Sequence, residues 1–141
     1  MPLTKILVTV KTYPALPKKY DELICTAGLS EDGRWIRIYP IPFRKLEYDS
    51  RYSKYQWIEL DLKRNTSDPR PESYKPVNYE QIKLYDVIGT DKGFWTRRKE
   101  IVLKKVYTCL SSLIAEAKDK NICTSLAVFK PKEIEHFTSL N

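Results

Sequence analysis

Hydrophobic and polar side chains alternate with period two in several short stretches of this chain. Between Lys5 and Thr12, Ile6, Val8 and Val10 alternate with Leu7, Thr9 and Lys11, which predicts a strand with one face buried. Tyr13-Pro14-Ala15-Leu16-Pro17 cannot continue a central strand because proline lacks a ladder donor, so a short stiff connection follows and residues 18–21 expose charge. Residues 22–29 and 34–41 flank Ser30-Glu31-Asp32-Gly33, where Asp-Gly supplies the positive φ that tight hairpins require. Residues 56–62 alternate again, with Ile58, Leu60 and Leu62 on one face and Trp57, Glu59 and Asp61 on the other. Four strands this closely spaced predict a small barrel or a strongly twisted sheet.

The second half is patterned differently. Residues 65–77 carry three prolines among polar turn formers, which reads as a loop and the best internal boundary. Residues 80–88 alternate moderately and predict a further strand. Apolar residues at 102, 106, 109, 110, 113 and 117 follow a helical period. That stripe predicts one main helix from about Thr108 to Asn121, capped by Thr108, with residues 101–107 open to either helix or strand. Residues 124–129 read as a final strand, and Pro131 stands where a helix can begin.

Composition narrows the class. The 141 residues suit one compact domain, and four glycines against nine prolines favour ordered connections. Cys25, Cys109 and Cys123 are odd in number and never spaced as CxxC, which argues against a disulfide framework or a zinc site and for a reducing cytoplasm. No segment has the length of a signal-peptide core or a membrane span, so no membrane association is expected. Net charge is +7, with 13 basic and 9 acidic residues in positions 1–70 and 12 and 9 in positions 71–141. A polyanionic partner fits this basic protein, and without a basic tail its site must be made by folding.

Candidate chemistry follows from the strand pattern. Alternation places Ile36 and Ile38 inward and Trp35, Arg37 and Tyr39 together on the opposite face. Flat rings beside a cation suit single-stranded nucleic acid, with bases on the rings and phosphates on the guanidinium. Tyr55 and Trp57 extend that platform from the next strand, with Arg44 and Lys54 nearby; the competing reading buries these rings as core. Residues 92–105 hold six basic residues against Glu100 alone, and Arg97, Arg98 and Lys99 form a second candidate phosphate site, or simply a solvated face beside a buried Trp95. Asp61 and Lys63 share a face as a magnesium-dependent nuclease requires, but no flanking acid completes the set. His136 is the only histidine, so no catalytic triad or Cys-His pair is expected, and Cys25 reads as a small core residue. No glycine-rich phosphate motif occurs, and no cofactor is expected. Arg70 in Asp68-Pro69-Arg70-Pro71-Glu72 reads as a residue that pins its loop.

Residues 6–14, 22–28, 32–44 and 125–131 together resemble the bacterial dual OB-fold-containing domain family of prokaryotic conflict systems. The resemblance implies OB-like barrels, a place in antiviral defence, and two sub-barrels, 4–64 and 79–130, joined by the Pro-rich loop 65–78. Members of that family extend further, so the resemblance also implies that this chain is a shortened or a naturally minimal version. The combined expectation is a mainly β, α+β domain: a small OB-like β-barrel or pair of barrels with one main helix in the C-terminal half. The expected function is non-enzymatic binding of single-stranded DNA or RNA. A protein-interaction or scaffold module within a larger system is the alternative, and a metal-dependent nuclease the third reading.

Overall fold

The computed structural model describes residues 3–12, 23–46 and 51–133, without the Arg44 side chain. The proline connection 13–22, His136 and the C-terminal helix expected after Pro131 therefore lie outside the described residues, apart from 131–133, which form no helix. Strands β1 (Leu3–Lys11), β2 (Ile24–Ser30), β3 (Trp35–Ile41), β4 (Gln56–Arg64) and β5 (Ser73–Pro76) follow one another around a barrel in the order β1-β2-β3-β5-β4. It closes because β4 returns to pair with β1. Every neighbouring pair is antiparallel except β3 with β5, which is parallel. The protein is thus a mainly β, α+β structure built on a closed five-stranded OB-like barrel.

The strands form where alternation predicts them. Val8, Ile36, Ile38, Ile58, Leu60 and Leu62 point inward, and the buried Leu46 and Tyr52 join the same cluster. The Tyr52 hydroxyl hydrogen-bonds the buried Thr26 hydroxyl inside this apolar core, which satisfies both groups where neither can reach water. Burial pushes the Tyr52 phenol far above its ordinary pKa, against the opposing effect of the Thr26 hydrogen bond. Gly33, at φ 85°, turns the β2–β3 hairpin, and its N–H donates to Ser30 O at 2.9 Å.

Five expectations are corrected. β1 is buried on both faces between Ile6 and Val8, because the outward-facing Leu7 is fully covered as well. Cys25 is half-buried outside the core, since strand alternation turns Ile24 and Thr26 inward and Cys25 to the outer face. Residues 65–78 are not a linker, because they contain β5, the strand that joins β3 to β4. Residues 79–130 do not build a second barrel. They supply β6 (Lys83–Val87), which lies along β4 beside β5, then α1 (Thr96–Val102), β7 (Val106–Tyr107), α2 (Leu110–Lys118) and β8 (Val128–Phe129). The helix expected from about Thr108 is α2, and in the segment left open to helix or strand Val106 and Tyr107 pair with Val128 and Phe129 while α1 ends at Val102. Cys109, rather than Thr108, occupies the N-cap of α2.

Two substitutions test the barrel. A Cβ on Gly28 would stand 2.1 Å from Leu7 O and 2.7 Å from Ile6 Cγ2, so Gly28→Ala should cost about 1–3 kcal/mol or more in urea unfolding. Tyr52→Phe should cost about 1–3 kcal/mol by leaving the Thr26 hydroxyl buried without its partner, read as a lower midpoint at an unchanged m-value.

Candidate functional site

The alternation on β3 delivers Trp35, Arg37 and Tyr39 to the outer surface of the barrel, but into different surroundings. Tyr39 is 43% exposed, while Trp35 and Arg37 are half-buried. The Arg37 guanidinium donates to Ser125 Oγ at 2.9 Å and to Cys25 Sγ at 3.5 Å, and the Ser125 hydroxyl donates in turn to the Glu72 carboxylate. Trp35 lines a cavity of about 170 Å³ with Glu72, Lys105, Tyr107, Ile122 and Ser125. Nearby, the Lys104 stem crosses Gly33, and its ammonium donates to Glu31 O at 3.1 Å. The chain beyond α1 therefore lies against this side of the barrel, and Arg37 is engaged by it.

Trp57 does not extend a platform from Trp35. Strand register sets them in one transverse row, Trp57–Leu7–Leu29–Trp35, with the two buried leucines between them and about 14 Å of sheet separating the tryptophans. Trp57 shares instead the Lys5 ammonium with Tyr85, at 5.4 and 4.7 Å from the ring centres, and the Tyr85 hydroxyl donates to Glu59. Tyr55 belongs to a third place, where the Arg98 guanidinium lies 3.8 Å from its ring centre and 4.6 Å from that of Trp95. Arg97 is ion-paired with Asp91 at 2.8 Å, which reduces the positive charge read from that segment. Lys54 and Lys99 are exposed, and the Arg44 side chain lies outside the described residues. Asp61 and Lys63 share the outward face of β4. Among the described residues no three His, Cys, Asp or Glu side chains group to hold a metal.

A different surface concentrates cations. A groove of about 330 Å³ is lined by Leu23, Pro40, Pro42, Pro76 and Tyr79 together with Lys45, Lys63 and Lys75. Lys63 and Lys75 are direct cross-strand partners on β4 and β5, an arrangement in which like charges repel. None of the groove's described lining residues is acidic. Tyr39 directly precedes the groove-lining Pro40 on β3. Of these residues the sequence singled out Lys63 and Tyr39 only. Lys45, Lys75 and Tyr79 carried no signal; Lys75 reaches Lys63 only because β5, hidden in a Pro-rich stretch, pairs with β4.

The β4–β5 loop beside the groove is held from within. Asp68 accepts from Arg70 Nη2 at 2.7 Å, from the Arg70 backbone N–H at 3.0 Å and from the Ser73 hydroxyl at 2.6 Å. These donors, the Arg70 side chain foremost, hold the Asp68 carboxyl well below the usual carboxylate range. Arg70 thus pins its loop through Asp68.

A family model matches residues 2–104. The chain belongs to the family described as Domain of unknown function (DUF8758). The DUF8758 match takes in the barrel, β6 and α1 and ends before β7, α2 and β8. No curated protein and no solved structure matches the chain.

The depressed carboxyl has a pH signature. A folded-state pKa below the unfolded one adds stability that is complete above the ordinary carboxylate range and is lost as pH falls through it. Asp68→Asn should therefore cost about 1–2 kcal/mol at neutral pH, allowing for solvent screening of the partly exposed Arg70. The gap from wild type should narrow below about pH 4, measured by denaturant titrations across acid pH.

Proposed function

We propose that this domain binds single-stranded nucleic acid, with the phosphate backbone seated in the groove of Lys45, Lys63 and Lys75. One observation carries the reading: two lysines directly opposed across a strand pair share with a third a groove whose described lining residues include no acid. The repulsion between opposed ammonium groups falls when a phosphate lies between them, and their counterions are released on binding. Tyr79 in the groove and the exposed Tyr39 beside it supply rings on which bases can stack. OB-type barrels hold oligonucleotides on their outer strand faces and connecting loops, so the fold is compatible with this role. The reading is of a binding domain rather than a catalytic one.

Fluorescence anisotropy with single-stranded and duplex DNA and RNA at several salt concentrations tests it. The wild type should bind at micromolar concentration, more weakly as salt rises. Lys63→Ala with Lys75→Ala should flatten the log–log salt slope by about 1.4 on a single strand, about 0.7 for each phosphate contact removed. Salt-independent binding, or a double variant that behaves like wild type, would overturn the reading.

A further inference from the structure

The turn between β6 and α1 displays an aromatic ring that the barrel does not use. Phe94 is 71% exposed, more than any other large apolar side chain among the described residues. The backbone around it is unusual: Asp91, Lys92, Gly93 and Trp95 have φ of 50°, 59°, 89° and 58°. Three of these are L-residues in the left-handed region, a conformation kept only where its surroundings enforce it.

The enforcement is visible. The N–H groups of Gly93 and Trp95 both donate to Thr90 O, at 3.0 and 2.8 Å, and the Phe94 N–H donates to Asp91 O at 3.2 Å. The Asp91 carboxylate accepts from the Arg97 backbone N–H at 2.9 Å and from its Nε at 3.0 Å. On the barrel side, Trp95 meets the Tyr55 ring edge-on at 5.3 Å, and Arg98 lies over both rings while its Nε donates to Ile88 O at 3.0 Å. Arg98 and Trp95, the latter still 39% exposed, anchor the turn. Phe94, immediately before Trp95 in sequence, is left pointing to solvent on a fixed support.

The surroundings identify the partner by charge. Residues 91–105 carry Lys92, Arg97, Arg98, Lys99, Lys104 and Lys105 against Asp91 and Glu100, and Lys92 and Lys99 are exposed close to Phe94 in sequence. An exposed ring among ammonium groups fits a flat base with flanking phosphates. We infer that Phe94 is a stacking platform for an unpaired base, with Lys92 and Lys99 taking the adjacent phosphates. This rests on the nucleic-acid reading above but places a second contact away from the lysine groove. A blunt duplex keeps its base faces stacked, so the Phe94 contact belongs to single strands.

Anisotropy on the full chain with oligothymidylate and with a blunt duplex decides it. Phe94→Ala should weaken single-strand binding about 5- to 150-fold, leave duplex binding within about twofold, and keep the wild-type melting temperature because the side chain is exposed. Phe94→Trp should retain affinity, while Phe94→Leu should behave like Phe94→Ala, since it keeps an apolar side chain and loses the ring. Unchanged single-strand affinity in Phe94→Ala, equal loss on both ligands, or full affinity in Phe94→Leu would overturn the inference. Lys63→Ala with Lys75→Ala, run in parallel, separates the two sites. A salt slope lost there with Phe94→Ala silent refutes the stacking role and leaves the groove standing; binding sensitive to Phe94 alone refutes the groove and leaves the stacking role.

Discussion

Closure of the barrel depends on β1 serving two neighbours at once. Ile6 pairs with Ser30 on β2 and Ile58 on β4, and Leu7 pairs with Leu29 and Trp57 in the same way. With both ladders fixed, every side chain around that half of the barrel is committed inward or outward, because one residue of slip would exchange the two faces. Two local features permit the double pairing. Gly28 passes so close to Leu7 O that no Cβ fits, and the register shift between Val8 and Val10 marks the irregularity through which β1 passes from one ladder to the other.

Because closure satisfies the strand edges, chemistry is left to outward side chains and to the turns. Those outward positions divide by what lies on them. Over β2 and β3, the chain beyond α1 reaches Trp35, Arg37 and Glu72 through Tyr107, Ile122 and Ser125. The segments 104–107 and 122–127 fall almost wholly beyond the DUF8758 match, so the surface they contact belongs to the family domain while the cover is contributed from outside it. Between the end of β3 and the pair β5 and β4, the surface instead opens as the lysine groove.

The barrel strands were legible because half-buried strands write their period directly into the sequence: Ile36, Ile38, Ile58, Leu60 and Leu62 are found where alternation puts them. Three things escaped that pattern. β5 is a four-residue strand ending at Pro76, too short and too rich in turn formers to show a period, and the lysine groove escaped with it. α1 starts after a left-handed Trp95, and its first turn is satisfied by Asp91 from four residues before the N-cap, not by an N-cap side chain. Burial of Leu7 on the outer face depends on a tertiary cover that no local window contains. The candidate rings were correctly turned outward on β3, yet which neighbours share a surface follows from strand order. A sheet with β5 between β3 and β4 cannot merge Trp35 with Trp57 into one platform.

The two cationic regions stand at opposite ends of β4. Lys63 lines the groove near the strand's C-terminal end, while Tyr55, which supports the Phe94 turn, immediately precedes its start. Eight residue steps of extended chain separate them, about 26 Å. Asp61 and Glu59 face outward between them on the same strand, and their carboxylates repel a phosphate backbone laid along β4. On the proposed reading, a strand held at both regions would bow away from the barrel over this stretch. At the stacked spacing of about 3.4 Å per nucleotide, 26 Å takes about eight nucleotides, within the range of roughly 4–16 that a single OB-type fold accommodates. The spacing of the two regions thus matches the reach that the proposed single-strand reading requires, with the outward carboxylates of β4 between them.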